Sequence, residues 1–530
     1  MSVMTVERPM GQDDRLRWYI DQVDALSAAN GRSPLWWCSN LSTRNRFLVP
    51  LDDLLRECRE GGIPLWRRWL RLGVWCKDTV ATAWRMLRRV RAARRLFAEK
   101  IAPDGRIYLI KSFAYRASAA GDRFRDPFFG RLAEYLSGHL PEGVRVLTIV
   151  TNFDEDDERL AAVSRGEVAP LEYFLSAADV VCGCIRLLAG RIFGRLRLAG
   201  PVLLDGRDIG PGLVRAFRGR AGGMSLHQYL HRAVARTIAG RFRVEGAVMT
   251  FEGNGWERML ALGLKEGQPG VRVTGYQHSV VCPAGAGVFP GGFEAANGPL
   301  PDLVLTTGNI PAEIIRSYGA FPPERVKAAC ALRYEYLRGL GPAARRTADV
   351  GPFTVLVAPE GMAEAVDLVR YALGQAARCP DVRFRIRTHP LTPLRSYLDA
   401  IGCSLESYPN VAASGCAEVA EDITQCDALL YWGSTVALEG LMIGVPLIHY
   451  DRGDLLSYDP LFRFDAFKWT VGRETPLADV LREIRELDPA VWDRLSRDGR
   501  AYVERYFLPV TEDGLALFLP SRTGPDARQG

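Results

Sequence analysis

Three short clusters of polar residues, each placed where an apolar run stops, are the parts of this sequence best suited to chemistry. The first is Val248-Met-Thr-Phe-Glu-Gly-Asn-Gly-Trp-Glu-Arg-Met-Leu. An apolar strand runs straight into Glu252, and Gly253 and Gly255 allow a sharp turn before an amphipathic helix. A carboxylate left at such an edge can take a proton from a hydroxyl. Glu252 is therefore the candidate general base. Glu257, one turn into the helix, competes for the role, and the plain alternative is that Glu252 caps the helix. Trp256 sits beside them in sequence. The next strand ends in Gly275-Tyr-Gln-His-Ser, which sets Gln277 and His278 on the same rim as candidate acceptor or donor contacts.

The second cluster is Val382-Arg-Phe-Arg-Ile-Arg-Thr-His-Pro. Strand alternation sends Arg387 and His389 the same way, and Pro390 stops the strand. A cationic pair there suits a phosphate; the plain alternative is a surface histidine beside a turn. The third is Asp427-Ala-Leu-Leu-Tyr-Trp-Gly-Ser-Thr-Val-Ala-Leu-Glu-Gly-Leu-Met-Ile-Gly-Val-Pro. A strand reaches Trp432, Gly433 turns the chain, and Ser434 and Thr435 open a helix that closes near Gly444. Backbone N–H groups and hydroxyls at a helix start suit phosphate. Glu439 lies five residues after Ser434, not the three of a capping box, and can instead accept bonds from ribose hydroxyls. An ordinary strand–turn–helix with a serine cap is the alternative.

Weaker signals carry no assignment. Gly285-Ala-Gly287 lacks the third glycine of a dinucleotide fingerprint. Asp154, Asp156 and Asp157 read as an acidic helix start. His227 and His231 have zinc-protease spacing, but Gln228 stands where that motif needs a glutamate, so both read as surface residues. Neither a metal nor a cofactor is expected.

These clusters need sheets to position them. In the first half, strands are predicted at Arg106–Ser112, Val144–Asn152, Gly246–Phe251, Val271–Tyr276 and Asp302–Thr307. In the second half they are predicted at Phe353–Ala358, Val382–Thr388, Ala428–Trp432 and Pro446–His449. Helix-sized segments separate them, which implies two doubly wound parallel sheets. Ligands of such sheets bind beyond the carboxyl ends of the strands, where all three clusters fall. The Gly-, Pro- and Arg-rich stretch 338–352 reads as a linker. The expected division is a helical extension over 1–105, a first Rossmann-like acceptor domain over 106–340, and a second, nucleotide-sugar domain over 350–515. A length of 530 residues fits two or three cores.

A net charge of +6 is too small for this length to suggest a nucleic-acid binder. Eleven scattered cysteines and a polar, mixed-charge start point to a reducing compartment. No eighteen-residue apolar run appears, so no spanning helix is expected. The expected place is the cytoplasm, with the inner face of the membrane as a candidate. Between Pro64 and Lys100, eleven Lys and Arg residues face two acidic ones, with four tryptophans interleaved. That is the composition of an interfacial membrane helix. The plain alternative is a solvated helix whose tryptophans enter the core, and RNA contact is the least favoured of the three. The segment Val180–Leu204, apolar but broken by arginines, reads as a second surface-lying helix or a helix with one basic face.

Glu252 with Trp256, Gly-Tyr-Gln-His at 275–278, His389-Pro390, and Gly433-Ser-Thr with Glu439 together resemble the bacterial surface carbohydrate (capsule and O-antigen) biosynthesis glycosyltransferases of the GT-B fold. Trp36-Trp37-Cys-Ser-Asn-Leu-Ser and Asp126-Pro-Phe-Phe-Gly130 add to the likeness, which spans about residues 35 to 450. The His-Pro and Ser-Thr motifs also resemble those of sialyltransferases, Kdo transferases and CDP-glycerol glycerophosphotransferases. The resemblance implies a metal-independent transferase with His389, Ser434 and Thr435 on a cytidine nucleotide. It implies an acidic base in the first domain, best matched by Glu252, and a glycan or lipid-linked acceptor. Sialyltransferases carry an acidic pair before the glycine where this chain has Phe251-Glu252-Gly253. The rival readings are a sugar-nucleotide 2-epimerase, a CDP-glycerol-type phosphotransferase, and a catalytically silent nucleotide-binding subunit.

Overall fold

Nine-residue, largely apolar segments buried along nearly their whole length form interior parallel strands. Arg106–Ala114 (β1) and Val144–Asn152 (β2) are two such segments. The computed structural model describes residues 10–44, 65–204, 206–216, 226–343, 345–346, 351–389 and 392–520. Around β1 and β2 it assembles a seven-stranded sheet with β3 (Val168–Pro170), β6 (Arg243–Thr250), β7 (Val273–Gln277), β8 (Leu303–Thr306) and β9 (Val326–Ala328). Two-residue segments Leu203–Leu204 and Arg207–Asp208 (β4 and β5) form a separate antiparallel ribbon. The large sheet runs β3-β2-β1-β6-β7-β8-β9, every pair parallel. The helices that matter here are α1 (Gln12–Asn30), α2 (Leu65–Phe97), α3 (Leu132–His139), α4 (Asp157–Val163), α5 (Ala177–Phe193), α6 (Leu226–Arg241), α7 (Gly255–Gly267) and α8 (Asn309–Tyr318).

The second sheet holds β10 (Thr354–Ala358), β11 (Arg383–Ile386), β12 (Val411–Ala413), β13 (Ala428–Tyr431), β14 (Leu447–Tyr450) and β15 (Lys468–Val471). Its order is β12-β11-β10-β13-β14-β15, again all parallel. Helices α9 (Val366–Ala376), α10 (Leu394–Ile401), α11 (Val419–Thr424), α12 (Val436–Ile443), α13 (Leu477–Glu486) and α14 (Pro489–Tyr506) accompany it. Both sheets are thus Rossmann-like, as expected. Each reverses direction of growth once, between β1 and β6 in the first and between β10 and β13 in the second. These reversals are the topological switch points at which ligands of open parallel sheets bind.

Contacts divide the chain into one unit of residues 1–278, 286–333 and 508–530, and a second of 279–285 and 334–507. This differs from the expected division at both ends. The helical start is part of the first unit because a buried ion network ties it there. The Arg44 guanidinium pairs with Glu294, which also accepts from Ser27 at 3.0 Å and from Arg258 at 3.4 Å. The segment from Leu508 returns to the first unit, where Phe518 packs 5.5 Å from the Tyr276 ring and its carbonyl accepts from the Tyr108 hydroxyl. The described part of the expected linker is bonded to the second unit. Ala343 N–H donates to Ile443 O at 2.8 Å, and Arg345 donates to Leu487 O at 2.7 Å.

Candidate functional site

In the first unit, β6 ends at Thr250 and the chain turns through Phe251-Glu252-Gly253 into α7. Gly253 has φ +80°, and a Cβ there would lie 2.1 Å from the Gly287 carbonyl oxygen, so only glycine fits this turn. Glu257 then does what a reciprocal cap does. Its carboxylate accepts from Asn254 N–H at 2.8 Å and from Glu252 N–H at 3.0 Å. Burial, reinforced by the Glu252 charge, pushes Glu257 up to about 8 against the pull of those donors. Glu257 is fully buried, so it is a fixture of the turn and not a rim residue. With the capping done by Glu257, the Glu252 side chain stays 36% exposed at the switch point.

His278 lies across from it, Nε2 to Glu252 Oε1 at 4.0 Å. Its ring is buried edge-on against Phe128, centroids 4.6 Å apart. Burial, with help from Arg333, lowers His278 to about 4, outweighing the opposite pull of Glu252, so the imidazole is neutral at pH 7. Gln277 and Trp256 are both buried. The Trp256 ring instead faces inward, 4.5 Å from the Lys111 Nζ and 5.4 Å from the His231 ring. His231 is fully buried, and the expected surface position of the His227/His231 pair is not what the fold gives. Burial holds His227 down at about 4 and holds His231 well below its ordinary value, so both stay neutral. The acidic segment behaves as expected: Asp156 caps α4 by accepting from Arg159 N–H at 3.0 Å.

Sequence reasoning passed over an aromatic pair on this rim. Tyr115 follows β1 and Phe153 follows β2, and Phe153 N–H bonds Ala114 O at 3.0 Å. Both side chains are exposed, with rings stacked 5.2 Å apart at 24°. Burial raises the Tyr115 hydroxyl, with Arg333 pulling it down and Glu252 and Asp154 pushing it up, so it shares one electrostatic neighbourhood with the candidate base. The available signal was position: each aromatic is among the first residues after a predicted strand.

In the second unit, β13 ends at Tyr431 and Trp432-Gly433-Ser434-Thr435 leads into α12. A Cβ on Gly433 would meet Glu360 Oε2 at 2.7 Å and Tyr458 at 2.8 Å. A Cβ on Gly361 would meet His389 Nδ1 at 2.6 Å. The Glu360-Gly361 turn after β10 is therefore wedged between the exposed His389 and the Gly433 loop, at the β10/β13 switch point. Glu360 was missed in the sequence, although Ala358-Pro-Glu-Gly is the same strand-then-turn signature used for the other clusters. Ser434, Thr435 and Val436 are half-exposed, and the Ser434 hydroxyl accepts from Val436 N–H at 3.3 Å. Trp432 is buried and donates to Asp454 at 3.2 Å. Glu439 is buried on α12 rather than open to a ribose.

Arg387 does not join His389 as the expected cationic pair. Its guanidinium donates to Asp422 at 2.8 Å, to Cys416 O at 2.8 Å and to Ala417 O at 2.9 Å. Strand alternation gave the direction of Arg387 but not the buried Asp422 that captures it. Pro390 lies outside the described residues.

No protein-family model and no curated relative matches the chain. Solved structures resemble it distantly. A glycosyltransferase from Rickettsia africae shares 10% identity over 78% of this chain and 96% of that chain, with a TM-score of 0.44. A UDP-GlcNAc 2-epimerase from Neisseria meningitidis, bound to UDP-GlcNAc, shares 10% over 78% and 98%, with a TM-score of 0.41. MurG from Acinetobacter baumannii shares 10% over 78% and 98%, with a TM-score of 0.42. The chain's own topology gives two units, each built on a Rossmann-like, all-parallel sheet.

Proposed function

We propose that this chain is a glycosyltransferase of surface carbohydrate synthesis, moving a sugar from a nucleotide-linked donor to a hydroxyl of a glycan or lipid-linked acceptor. The observation that carries the reading is Glu252, a half-exposed carboxylate at the switch point of the first sheet whose backbone is pinned by the separate, buried Glu257. A base that must collect a proton has to reach substrate and yet be held in place. Here capping and proton collection fall to two different carboxylates.

Glu252 takes the proton of the attacking hydroxyl, with a neutral His278 beside it. The nucleotide docks on the second unit. His389 and the N–H and hydroxyl groups of Ser434 and Thr435 meet the leaving phosphate, supplying fixed donors where negative charge develops. Phosphate stabilisation by these donors suits a metal-independent transfer. A cytidine nucleotide is the favoured donor on the sequence resemblance.

Glu252→Gln is expected to lower transfer roughly 10²–10⁴-fold while leaving nucleotide binding and melting temperature unchanged. Unchanged product formation would remove Glu252 from the chemistry. A thermal-shift panel of CMP, CDP, UDP and GDP tests the donor, and a preference for UDP or GDP overturns the cytidine assignment. Conversion of donor to an epimer with no acceptor present would favour the epimerase.

A further inference from the structure

Among the described residues fifteen large hydrophobic side chains are exposed, and eleven lie on just two helices, six on α2 and five on α5. Monomeric proteins scatter such residues singly, so their concentration marks a surface built to be covered. On α2 they are Trp66, Trp69, Leu70, Val74, Val80 and Trp84. At about 100° per residue these positions fall within one stripe roughly 140° wide. The tryptophans in it are 62%, 69% and 63% exposed. On α5, Val181, Ile185, Leu188 and Ile192 follow the same helical spacing, and Phe193 ends the helix exposed. The two helices pack together, with the Arg191 guanidinium 4.8 Å from the Trp75 ring.

Exposed cations lie within and beside the stripes: by the same spacing Lys77 and Arg88 fall inside the α2 stripe and Arg85 at its edge. Lys77, Arg85 and Arg88 on α2, Arg186 on α5 and Arg195 just beyond it are exposed. Asp78 is the one acidic residue of α2, and Asp179 the one of α5. A protein partner would need an acidic rim around an apolar centre. An anionic bilayer supplies both as one surface, and tryptophan is the side chain suited to its headgroup boundary. No helix among the described residues is long and apolar enough to cross a membrane, so this is attachment to one face.

We propose that α2 and α5 form a platform that docks the protein on an anionic lipid surface, the stripes entering the headgroup layer and the arginines meeting lipid phosphates. The platform stands independently of the glycosyltransferase reading, though a lipid-linked acceptor would be met at such a surface.

The test is co-sedimentation of the full chain with phosphatidylcholine vesicles, with and without about 30% phosphatidylglycerol. Each cation near the surface strengthens binding roughly fivefold, so binding should need the anionic lipid and weaken with salt. Trp69→Glu/Ile185→Glu, both at exposed positions, should reduce binding at least about tenfold while melting temperature and nucleotide-induced stabilisation stay as in the wild type. Arg88→Glu/Arg186→Glu should leave weak, salt-insensitive binding. Failure of the wild type to bind anionic vesicles, or undiminished binding by the Glu double variant, overturns the platform. So does a dimer that the same double variant abolishes, which would assign the patch to a second copy of the chain. Loss of transfer in Glu252→Gln bears on the reaction alone and leaves this result untouched.

Discussion

Two glutamates five residues apart do different jobs, and the difference is testable by pH. Glu257 is buried and raised to about 8, whereas the same side chain in the unfolded chain titrates near its ordinary value. A raised folded value means that the native state holds the proton more tightly. The associated stability is full below about 4.5, and it drains away as pH climbs through about 8, by at most about 5 kcal/mol. Glu257→Gln mimics the protonated form and keeps an oxygen to accept from the turn. Relative to this variant, the wild type should lose thermal stability progressively between pH 5 and 9, with transfer at pH 7 within about threefold of normal. Glu257→Ala leaves Glu252 N–H and Asn254 N–H without their acceptor. It should cost roughly 1–3 kcal/mol and depress turnover more than acceptor KM. If Gln proves as damaging as Ala at pH 7, the ionised carboxylate itself is needed and Glu257 is more than a positioning residue.

At the level of elements, the nine interior strands were legible, and the four that close the two sheets were not. β3, β9, β12 and β15 are the edges of their sheets and run only three or four residues. An edge strand pairs on one side, so it does not need the unbroken apolar run that betrays a buried one. The candidate site was legible to the same degree. The ends of β6, β11 and β13 could be read as turns at a ligand-binding edge, because glycine, proline and hydroxyl residues are local signals. Which side chain is spent on structure could not, because the partner is remote in sequence. Arg387 illustrates this, held by Asp422 thirty-five residues away, which also accepts from the Ser414 hydroxyl at 2.5 Å. Its bonds with Ser414 and Arg387 hold the buried Asp422 below the usual carboxylate range, against the cost of its own burial. Arg387→Ala is therefore expected to destabilise the second unit by about 1–3 kcal/mol, less than for a fully buried pair because the guanidinium is partly open. Nucleotide affinity should move less than about threefold, whereas His389→Ala should weaken it by about tenfold or more. Calorimetric titration with the nucleotide that stabilises the wild type separates the two. A large affinity loss in Arg387→Ala without loss of stability would return Arg387 to the phosphate.

On the scale of the whole chain, the two units differ in how they are completed. The second is built from 279–285 and 334–507, nearly one continuous stretch. The first is not finished until the last described residues arrive. Leu515 and Phe518 are both about 1% exposed in a core that also holds Tyr108, Leu132, Tyr276 and Cys330. The sequence gives little warning of this, because 508–520 is a short, mixed segment after α14 with no strand or helix long enough to announce a destination. Physically it acts as a plug: the Tyr276 hydroxyl donates to Cys330 O at 2.9 Å and accepts from Leu332 N–H at 2.9 Å, while Phe518 covers the ring. Phe518→Ala should therefore cost about 3–5 kcal/mol, the range for emptying a large aromatic site in a packed core. The loss should appear as faster amide exchange in β1 and β7, the strands that carry Tyr108 and Tyr276. Strands β10 and β13, which share no core residue with Phe518, provide the internal reference in the same sample. Equal acceleration in both sheets would mean that the C-terminal segment supports the entire fold, and no acceleration in β1 would mean that the site collapses around the missing ring.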